Sequence, residues 1–442
     1  MRSMKASLAK LCLPLLLLAG CGSSSDDPLN YDGVLSAAEL YSYDTRTNSD
    51  ALVECSVIYL QPGSCDLSKV QPLGMGVSGD VSESDVASRL VVSHDWMADS
   101  FLDALDYIDD QNLLNLFKAV NTIVISYEID GSFYHAYTAS IYIDPRYLWR
   151  NTEEWETIND EDDSCGCSEY PLQFYPARRF VDAGSGDYST WSNSYNSETY
   201  NYRYTYQLAP KLYSLLAHEL AHANDFVPPE LLASLGSSGT IYDYIYSNTR
   251  VSSDLDELYP LSSDLVMEAA DVYYNESEAS AGLIASTGED IGLEFEDDGA
   301  SYFYSYTNSR EDLATLVEIS MMYLKYGAVL DVGFTNIPDV ESPECDDYLI
   351  EWGQRHRLAD ADVNNRAAYV AGRIISADYA LEISSITDET IAIEAGSGWC
   401  SSRYDTDVAV SSARSIQSRS RSTVVHDFQD DFVVEGVMPE WP

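Results

Sequence analysis

The sequence contains few basic residues, few histidines and, after its first residues, no long apolar run. Lys and Arg number 24 against 73 Asp and Glu, so the formal net charge is −49 at pH 7. Such a surface repels nucleic acid and anionic lipid, which excludes both as predicted partners. No later stretch approaches the roughly 20 apolar residues of a membrane-spanning helix. The composition therefore favours an acidic protein held in solution by its charge.

The first 21 residues have the features of an export signal. Three basic residues precede the apolar residues 11–18, a stretch too short to span a membrane. The stretch ends on Leu18-Ala19-Gly20-Cys21, which resembles the lipobox of bacterial lipoproteins. This resemblance implies that Cys21 is lipidated and that Gly22 directs the protein to the outer membrane. We therefore expect a lipid-anchored protein of the bacterial cell envelope, facing the periplasm or the cell surface; a plain cleaved signal is the alternative.

The cysteines outside this segment are even in number. They are Cys55, Cys65, Cys165, Cys167, Cys345 and Cys400. An even set in an oxidising compartment predicts disulfides, although six cysteines allow fifteen pairings. Pairing of nearest neighbours gives Cys55–Cys65, Cys165–Cys167 and Cys345–Cys400, of which the second closes a strained, small ring. A thiolate metal site is less favoured, because the chain lacks two C-x-x-C pairs.

The pattern His218-Glu219-Leu220-Ala221-His222 is the main indication of chemistry, in a chain with only six histidines. Residues four apart on a helix lie on one face, so both imidazoles can reach one metal ion. Glu219 then lies where it can take a proton from a metal-bound water. We predict one zinc ion per chain, with Glu219 as the catalytic base. The alternative is a histidine pair with a purely structural role.

The flanking residues predict that this pattern is helical. Pro210 precedes the segment and suits a first helical turn, and Pro228 follows and ends the helix. Between them an apolar stripe recurs at helical spacing, formed by Leu212, Leu215, Leu216 and Leu220. We expect this stripe to enter the core while the histidine face lines a cleft.

A catalytic zinc ion usually takes three protein ligands and one water. A third histidine in the metzincin pattern is excluded, because Asp225 and Pro228 occupy the positions of its Gly and last His. The remaining option is a carboxylate from a later helix, the gluzincin arrangement. Glu311 and Glu268 are the two candidates, and Glu268 has Asp271 on the same predicted helix face.

A second segment carries a family resemblance. It reads Tyr304-Ser305-Tyr306-Thr307-Asn308-Ser309-Arg310-Glu311-Asp312-Leu313-Ala314. Together with the histidine motif, it resembles the zincin peptidases of the kind seen in anthrax lethal factor. The resemblance implies that Glu311 binds zinc and that the Tyr304 phenol stabilises the oxyanion. Thr315 departs from the family, which often has Glu at that position.

The predicted fold is α+β and zincin-like, with a mixed twisted sheet packed on the helix of the histidine motif. Residues 1–21 form the signal, and residues 22–90 a tether and accessory segment. Residues 91–330 form the peptidase domain, and residues 331–442 a mainly helical extension with a tail. Within this plan we expect a helix over 94–118, then strands over 121–129 and 133–143 joined by a hairpin turn at Asp130-Gly131.

Further helices are predicted over 309–326, capped by Ser309, and over 348–357 and 365–377. The strand at 139–143 is a candidate edge strand for binding substrate backbone. Four alternating tyrosines, Tyr200, Tyr202, Tyr204 and Tyr206, line a cleft or form one face of an exposed strand. The acidic stretches 159–163 and 294–298 are candidate calcium sites, although solvated loops explain them as well.

These patterns predict zinc-dependent hydrolysis of peptide bonds, with a peptide or protein as substrate. Two other functions stay open at this stage. One is a zincin-like surface binding module or adhesin without activity, and the other is a zinc hydrolase of non-peptide substrates. The sequence does not predict the oligomeric state.

Overall fold

The computed structural model describes residues 39–44, 49–57, 65–158, 171–190, 202–245, 248–275, 277–340 and 343–404. Its helices are α1 Ser49–Ser56, α2 Leu73–Gly76, α3 Glu83–Ala87, α4 Asp95–Ile108, α5 Gln111–Leu116, α6 Thr152–Trp155, α7 Thr205–Phe226, α8 Pro229–Leu232, α9 Ile241–Ile245, α10 Val251–Leu258, α11 Asp264–Asn275, α12 Ala281–Ile284, α13 Gly288–Glu296, α14 Ser309–Tyr326, α15 Ala361–Ile374 and α16 Ala377–Ser384. Short 3₁₀ turns connect several of them. None of the helices in these ranges is long and apolar enough to cross a membrane.

Two separate sheets accompany the helices. The first contains β1 Tyr41–Ser42, β2 Leu90–Val92, β3 Ile123–Ile125, β4 Phe133–His135 and β5 Ser140–Ile143, in the order β1-β2-β3-β5-β4. The second contains β6 Phe174–Asp182, β7 Ala328–Asn336, β8 Ile350–Arg355 and β9 Ile391–Ala392, in that order and antiparallel throughout. The first sheet is mixed, with β2, β3 and β5 parallel and an antiparallel strand at each edge. The predicted α+β class is confirmed.

The helices α7 and α14 lie against each other at the centre of the fold. α7 contacts β4 and β5 of the first sheet, and α14 contacts β7 of the second. The leucine stripe of α7 is fully buried at Leu212, Leu216 and Leu220, as its helical spacing predicts. Burial of such side chains stabilises the packing by roughly 1.5–3 kcal/mol each. This pairing fixes the relative position of side chains that are far apart in sequence.

α7 begins earlier than the proline pattern predicts. The helix starts at Thr205, where the Gln207 side chain accepts a hydrogen bond of 2.9 Å from the Tyr204 N–H. Pro210 therefore lies inside the helix and not in its first turn, which corrects that prediction. The helix ends at Phe226, before Pro228, as expected.

The predicted hairpin at Asp130-Gly131 is wrong. β3 pairs in parallel with β5, and the antiparallel hairpin joins β4 to β5 instead. The predicted strand 133–143 is divided by a turn in which Ala139 adopts a left-handed φ of 49°. Asn121 holds this turn, because its side chain donates to the Thr138 carbonyl at 2.8 Å. β5 is consequently internal, and β4 forms the edge of the sheet on this side, with β1 at the other edge.

The predicted helix 94–118 is two helices. Asp109 takes a left-handed φ of 47° and ends α4. The Asp110 carboxylate then accepts hydrogen bonds from the N–H groups of Asn112 and Leu113, which starts α5. Aspartate tolerates the left-handed conformation and caps helices well, so the pair Asp109-Asp110 produces the break.

The predicted helix over 348–357 is also wrong, because this segment forms β8. Its alternation of Ile350 and Trp352 with Glu351 has the period of a strand, and Arg355 pairs with Asp331 of β7. The helix over 309–326 is confirmed as α14, but Asn308 caps it instead of Ser309, accepting from Arg310 and Glu311. Of the predicted helix 365–377, residues 365–374 lie in α15, which starts earlier, at Ala361; Ile375 and Ser376 separate it from α16.

The region after residue 330, predicted to be mainly helical, contains most of β7 and all of β8 and β9 besides α15 and α16. β7 runs through position 330 and pairs with β6, so no break in structure coincides with that predicted boundary.

Two of the predicted disulfides are confirmed, Cys55–Cys65 and Cys345–Cys400. Cys165, Cys167 and Cys21 lie outside the described residues.

Candidate metal centre

Three predicted ligands meet where α7 packs against α14. His218 and His222 are one helical turn apart on α7, and Glu311 lies in the first turn of α14. All three are buried, with exposed fractions of 3%, 8% and 2%. In the described part of the chain, this is the group of His, Cys, Asp and Glu whose donor atoms converge closely enough to hold a metal ion.

The distances between the donor atoms match those of a metal site. His218 Nε2 lies 3.0 Å from Glu311 Oε2, and His222 Nε2 lies 3.2 Å from His218 Nε2. His222 Nε2 is 3.3 Å from Glu311 Oε1. Donors placed 2.0–2.1 Å from a tetrahedral zinc ion are about 3.3 Å apart. The three side chains therefore fit a zinc ion without rearrangement of the two helices.

The charges of these ligands depend on each other. Burial lowers the pKa of His218, but hydrogen bonds to Glu311 and Glu318 outweigh burial and raise this pKa to about 10. Burial raises the pKa of Glu311, but His222 and His218 outweigh it and hold this pKa well below its usual range. In the metal-free protein a proton on His218 thus balances the carboxylate. A cation entering the centre would displace that proton.

A second carboxylate on α14 orients His218. Glu318 Oε2 lies 3.4 Å from His218 Nδ1, on the side of the ring opposite Nε2. Ser214 donates a hydrogen bond of 2.5 Å to Glu318 Oε1, and the Arg178 guanidinium lies 3.4 Å from the same oxygen. Burial raises the pKa of Glu318, but Arg178 and His218 lower it to about 2. A carboxylate at Nδ1 directs Nε2 toward the metal position.

Sequence reasoning missed Glu318, Ser214 and Arg178. Glu318 is seven residues after Glu311, so it lies two turns along the same helix face, and Ser214 lies one turn before His218. These spacings were visible in the sequence. Arg178 comes from β6, and nothing in its local sequence connects it to α7 or α14.

Glu219 is buried beside the donor group, with an exposed fraction of 3%. Burial raises the pKa of its carboxyl group, while the neighbouring imidazoles of His218 and His222 oppose that shift. No hydrogen bond from the described residues occupies this carboxylate. Glu219 is therefore available to a water or substrate at the centre.

Tyr304 lies close to the centre, as the resemblance implies. Its ring centroid is 6.2 Å from that of His218, and its side chain is buried. The 3₁₀ turn Phe303–Tyr306 that carries it is held to α14 by a hydroxyl cluster. In this cluster Thr315 Oγ1 lies 2.7 Å from Ser301 Oγ and 2.8 Å from Ser305 Oγ. Thr315, which departs from the family pattern, thus helps to position the tyrosine.

The rival ligand Glu268 lies elsewhere. Its carboxylate accepts a hydrogen bond of 2.7 Å from the Ser280 N–H, and it does not belong to the group of donor atoms that could hold a metal ion.

Asp298, in one predicted calcium stretch, accepts hydrogen bonds from the N–H groups of Ser262 and Ser263 and from the Tyr306 hydroxyl. These contacts give Asp298 a structural role. The other stretch, 159–163, lies outside the described residues.

The tyrosine row before α7 is exposed but is not a strand. Tyr202, Tyr204 and Tyr206 expose 47%, 56% and 49% of their surface. Tyr204 is the residue that precedes α7, and Tyr206 belongs to its first turn. Tyr202 forms only an isolated antiparallel bridge with Asn151. The strand prediction is therefore wrong for Tyr204 and Tyr206, and Tyr200 lies outside the described ranges.

Comparison of the chain with protein-family models, curated proteins and solved structures finds no match.

Proposed function

We propose that this chain is a zinc-dependent peptidase of the gluzincin kind, carried on a lipid-anchored bacterial envelope protein. The observation that carries the proposal is the convergence of His218, His222 and Glu311 at the spacing of a tetrahedral ion. A buried Glu219 beside them supplies the group that a purely structural site does not need. Two histidines and one glutamate are the ligand set of a known class of zinc peptidases.

The donor set is that of a catalytic zinc site. Structural zinc sites usually have four protein ligands, whereas catalytic sites have three and leave one position for water. Zinc held here would act as a Lewis acid and lower the pKa of a bound water from 15.7 to about 7. The Glu318 carboxylate would hold His218 in the tautomer that presents Nε2 to the ion.

Protein side chains carry out the proton transfers and stabilise the oxyanion. Glu219 takes a proton from the attacking water. The protonated Glu219 then gives this proton to the leaving amine. The Tyr304 hydroxyl donates a hydrogen bond to the oxyanion of the tetrahedral intermediate.

The strand expected to receive the substrate backbone is not available for that role. β5 is paired on both sides, by β3 and β4, and cannot accept another strand. β4 is at the edge of the sheet and contacts α7. The three residues of β4 are buried, main chain included, with exposed fractions of 3%, 4% and 5%. This edge is therefore not open for strand addition, and we assign no strand to that role.

Replacement of Glu219 by Gln tests the mechanism. The change keeps the shape of the side chain but removes the base, so hydrolysis of an unstructured protein such as casein should fall about 10²- to 10⁴-fold. Zinc content should stay unchanged, because Glu219 is not a ligand. Hydrolysis near the unmutated rate would contradict the mechanism. If the unmutated protein binds zinc but hydrolyses no peptide, the result would favour a binding module. If it hydrolyses only esters or glycans, the result would favour a zinc hydrolase of non-peptide substrates.

A further inference from the structure

Two arginines lie beside the metal centre, where α7, α10 and α14 meet. Arg310 immediately precedes the candidate ligand Glu311 in the first turn of α14. Arg250 immediately precedes α10, a helix that contacts both α14 and α7. Its guanidinium lies 5.3 Å from the centroid of the Phe226 ring, and Phe226 is one turn after the candidate ligand His222 on α7. These two residues, the arginine pair, thus lie close to the ends of the two helices that carry the ligands.

Neither guanidinium of the arginine pair meets a carboxylate in the described part of the chain. Arg250 contacts Phe226 but forms no salt bridge among these residues, and Arg310 forms neither a salt bridge nor a side-chain hydrogen bond. The buried Asp225 attracts Arg250, but its two oxygens accept hydrogen bonds of 2.7 Å from the N–H and the hydroxyl of Ser252. The arginine pair is therefore able to bind an external anion.

The lack of a partner does not come from a lack of acids. Asp and Glu outnumber Lys and Arg by 73 to 24 in this chain. Asp254 of α10 lies 3.1 Å from Arg373, and Asp312 of α14 accepts a hydrogen bond of 3.1 Å from Arg366. The helices next to the arginine pair thus carry carboxylates, and these are bound by other arginines.

The two guanidinium groups also act on each other. Burial lowers the pKa of Arg250, and the nearby charge of Arg310 lowers it further, while Asp225 raises it. Both arginines are half-buried, so a ligand can reach them while solvent screens their repulsion only in part. A carboxylate held by both guanidinium groups would remove this repulsion and accept charge-assisted hydrogen bonds, which arginine donates in a planar, two-pronged geometry.

We propose that the arginine pair, Arg250 and Arg310, binds a carboxylate of the peptide substrate beside the metal centre. The assignment rests on the proposed peptidase function and names the charge of its substrate. The carboxylate comes either from the C-terminus of a peptide or from an aspartate or glutamate side chain, since both present the same planar acceptor. The chain as a whole, with a net charge of −49, repels anions. A local pair of cations is what allows an acidic substrate to bind at the centre.

Activity on matched peptides tests the preference and distinguishes the two sources. One peptide pair ends in a carboxylate or an amide, and further amidated pairs carry Glu or Gln at one position near the cleaved bond. With the zinc-loaded full chain, kcat/KM should be roughly 10-fold higher for the acid in at least one pair. This is the lower end of the value of hydrogen bonds to charged groups, chosen because both arginines are half-exposed.

Variants of the arginine pair assign that preference. Arg250→Gln and Arg310→Gln should each reduce the ratio of acid to neutral peptide several-fold, and Arg250→Lys should retain part of it, because lysine keeps the charge without the two-pronged geometry. Lys69→Gln, the same loss of charge at a side chain that is 48% exposed, should leave the ratio unchanged. Zinc content is measured for each variant. If Arg310→Gln loses zinc, Arg250→Gln decides the test.

Binding without turnover gives a separate readout. Fluorescently labelled acid and amide peptides are titrated with the Glu219→Gln chain, with zinc supplied, and followed by anisotropy. The acid should bind roughly 10-fold more tightly, and this difference should shrink in about 1 M salt, where exposed charges are screened, and in the Arg250→Gln background.

The two readouts separate the carboxylate assignment from the peptidase function. Cleavage with no preference for an acid, or a preference that both glutamine variants leave intact, would overturn the carboxylate assignment alone. Binding of the acid that depends on the arginine pair, with no cleavage of any peptide by the unmutated chain, would contradict the peptidase function and keep the ligand class.

Discussion

Two buried clusters of charge in this molecule use carboxylates in different ways. At the metal centre, Glu311 faces two imidazoles. In the second sheet, the fully buried Asp331 is bound on one oxygen by Arg179 at 2.8 Å, and by Arg355 at 2.6 and 2.9 Å. A guanidinium stays protonated at any physiological pH, whereas an imidazole can release its proton. Asp331 therefore keeps its ion pairs at all physiological pH values, whereas the centre around Glu311 can exchange the proton of His218 for a metal ion.

The arginine cluster around Asp331 and the histidine cluster around Glu311 also differ in the segments that they connect. Arg179 also donates to the Ser402 hydroxyl, and Arg355 to the Arg403 carbonyl. The arginine cluster thus fixes the segment after the Cys345–Cys400 disulfide against β7. His218, His222 and Glu311 join α7 to α14, which already pack against each other, and they are connected to β6 only through Glu318 and Arg178. The first is a structural cluster, and the second is available for chemistry.

The largest expected effect breaks the structural cluster. Asp331→Ala leaves two buried guanidinium groups without a counter-charge and should lower the free energy of unfolding by about 3–5 kcal/mol. Chemical denaturation of the zinc-free protein measures it, with Asp339→Ala as an exposed control. Glu311→Ala should cost clearly less in zinc-free protein, because His218 and His222 can become neutral. Equal losses for the two variants would show that both clusters are structural, and the comparison would fail.

A smaller effect concerns the orientation of His218. Glu318→Gln removes the charge beside Nδ1 and should reduce zinc affinity roughly 10- to 100-fold, as removal of such supporting groups does elsewhere. Competition with a chromophoric chelator measures the affinity. Glu294→Gln, an exposed acid on α13, serves as the matched control. Unchanged affinity in the Glu318 variant would remove this residue from the account.

The pH dependence sharpens the comparison further. Because the pKa of His218 in the zinc-free fold is raised to about 10 from an ordinary 6.5, its proton stabilises that state fully below pH 6.5. This stabilisation is lost as the pH rises toward 10. Zinc must displace the proton, so zinc affinity should rise by up to about tenfold per pH unit in this window. Chelator competition at pH 6.5, 7.5 and 8.5 tests the slope, and a flat profile would contradict proton displacement.

The sequence predicts those residues of the metal centre that lie close together along the chain. His218, Glu219 and His222 fall within five residues, and helical spacing alone places both imidazoles on one side. Glu311 required the family resemblance, because residue spacing alone left Glu268 open as an alternative ligand. The contact of Arg178 with Glu318 depends on how β6 lies against α14, which no local pattern encodes.

The fold shows the same limit. The helices α7 and α14 were predictable because each carries a continuous helical pattern with identifiable ends. The pairing of β3 with β5 was not, because Asp130-Gly131 is a strong hairpin signal, whereas residues 136–139, which form the turn between β4 and β5, contain no Gly, Pro, Asn or Asp. The strand β8 was mistaken for a helix, since six residues are too few to separate the two periods.

Metal content by mass spectrometry tests the central claim most directly. Unmutated protein, Glu311→Ala and Glu268→Ala would be purified at neutral pH with zinc supplied. We predict about one zinc per chain in the unmutated protein and in Glu268→Ala, and its loss in Glu311→Ala. No zinc in the unmutated protein, or loss in Glu268→Ala with retention in Glu311→Ala, would contradict the metal centre described above.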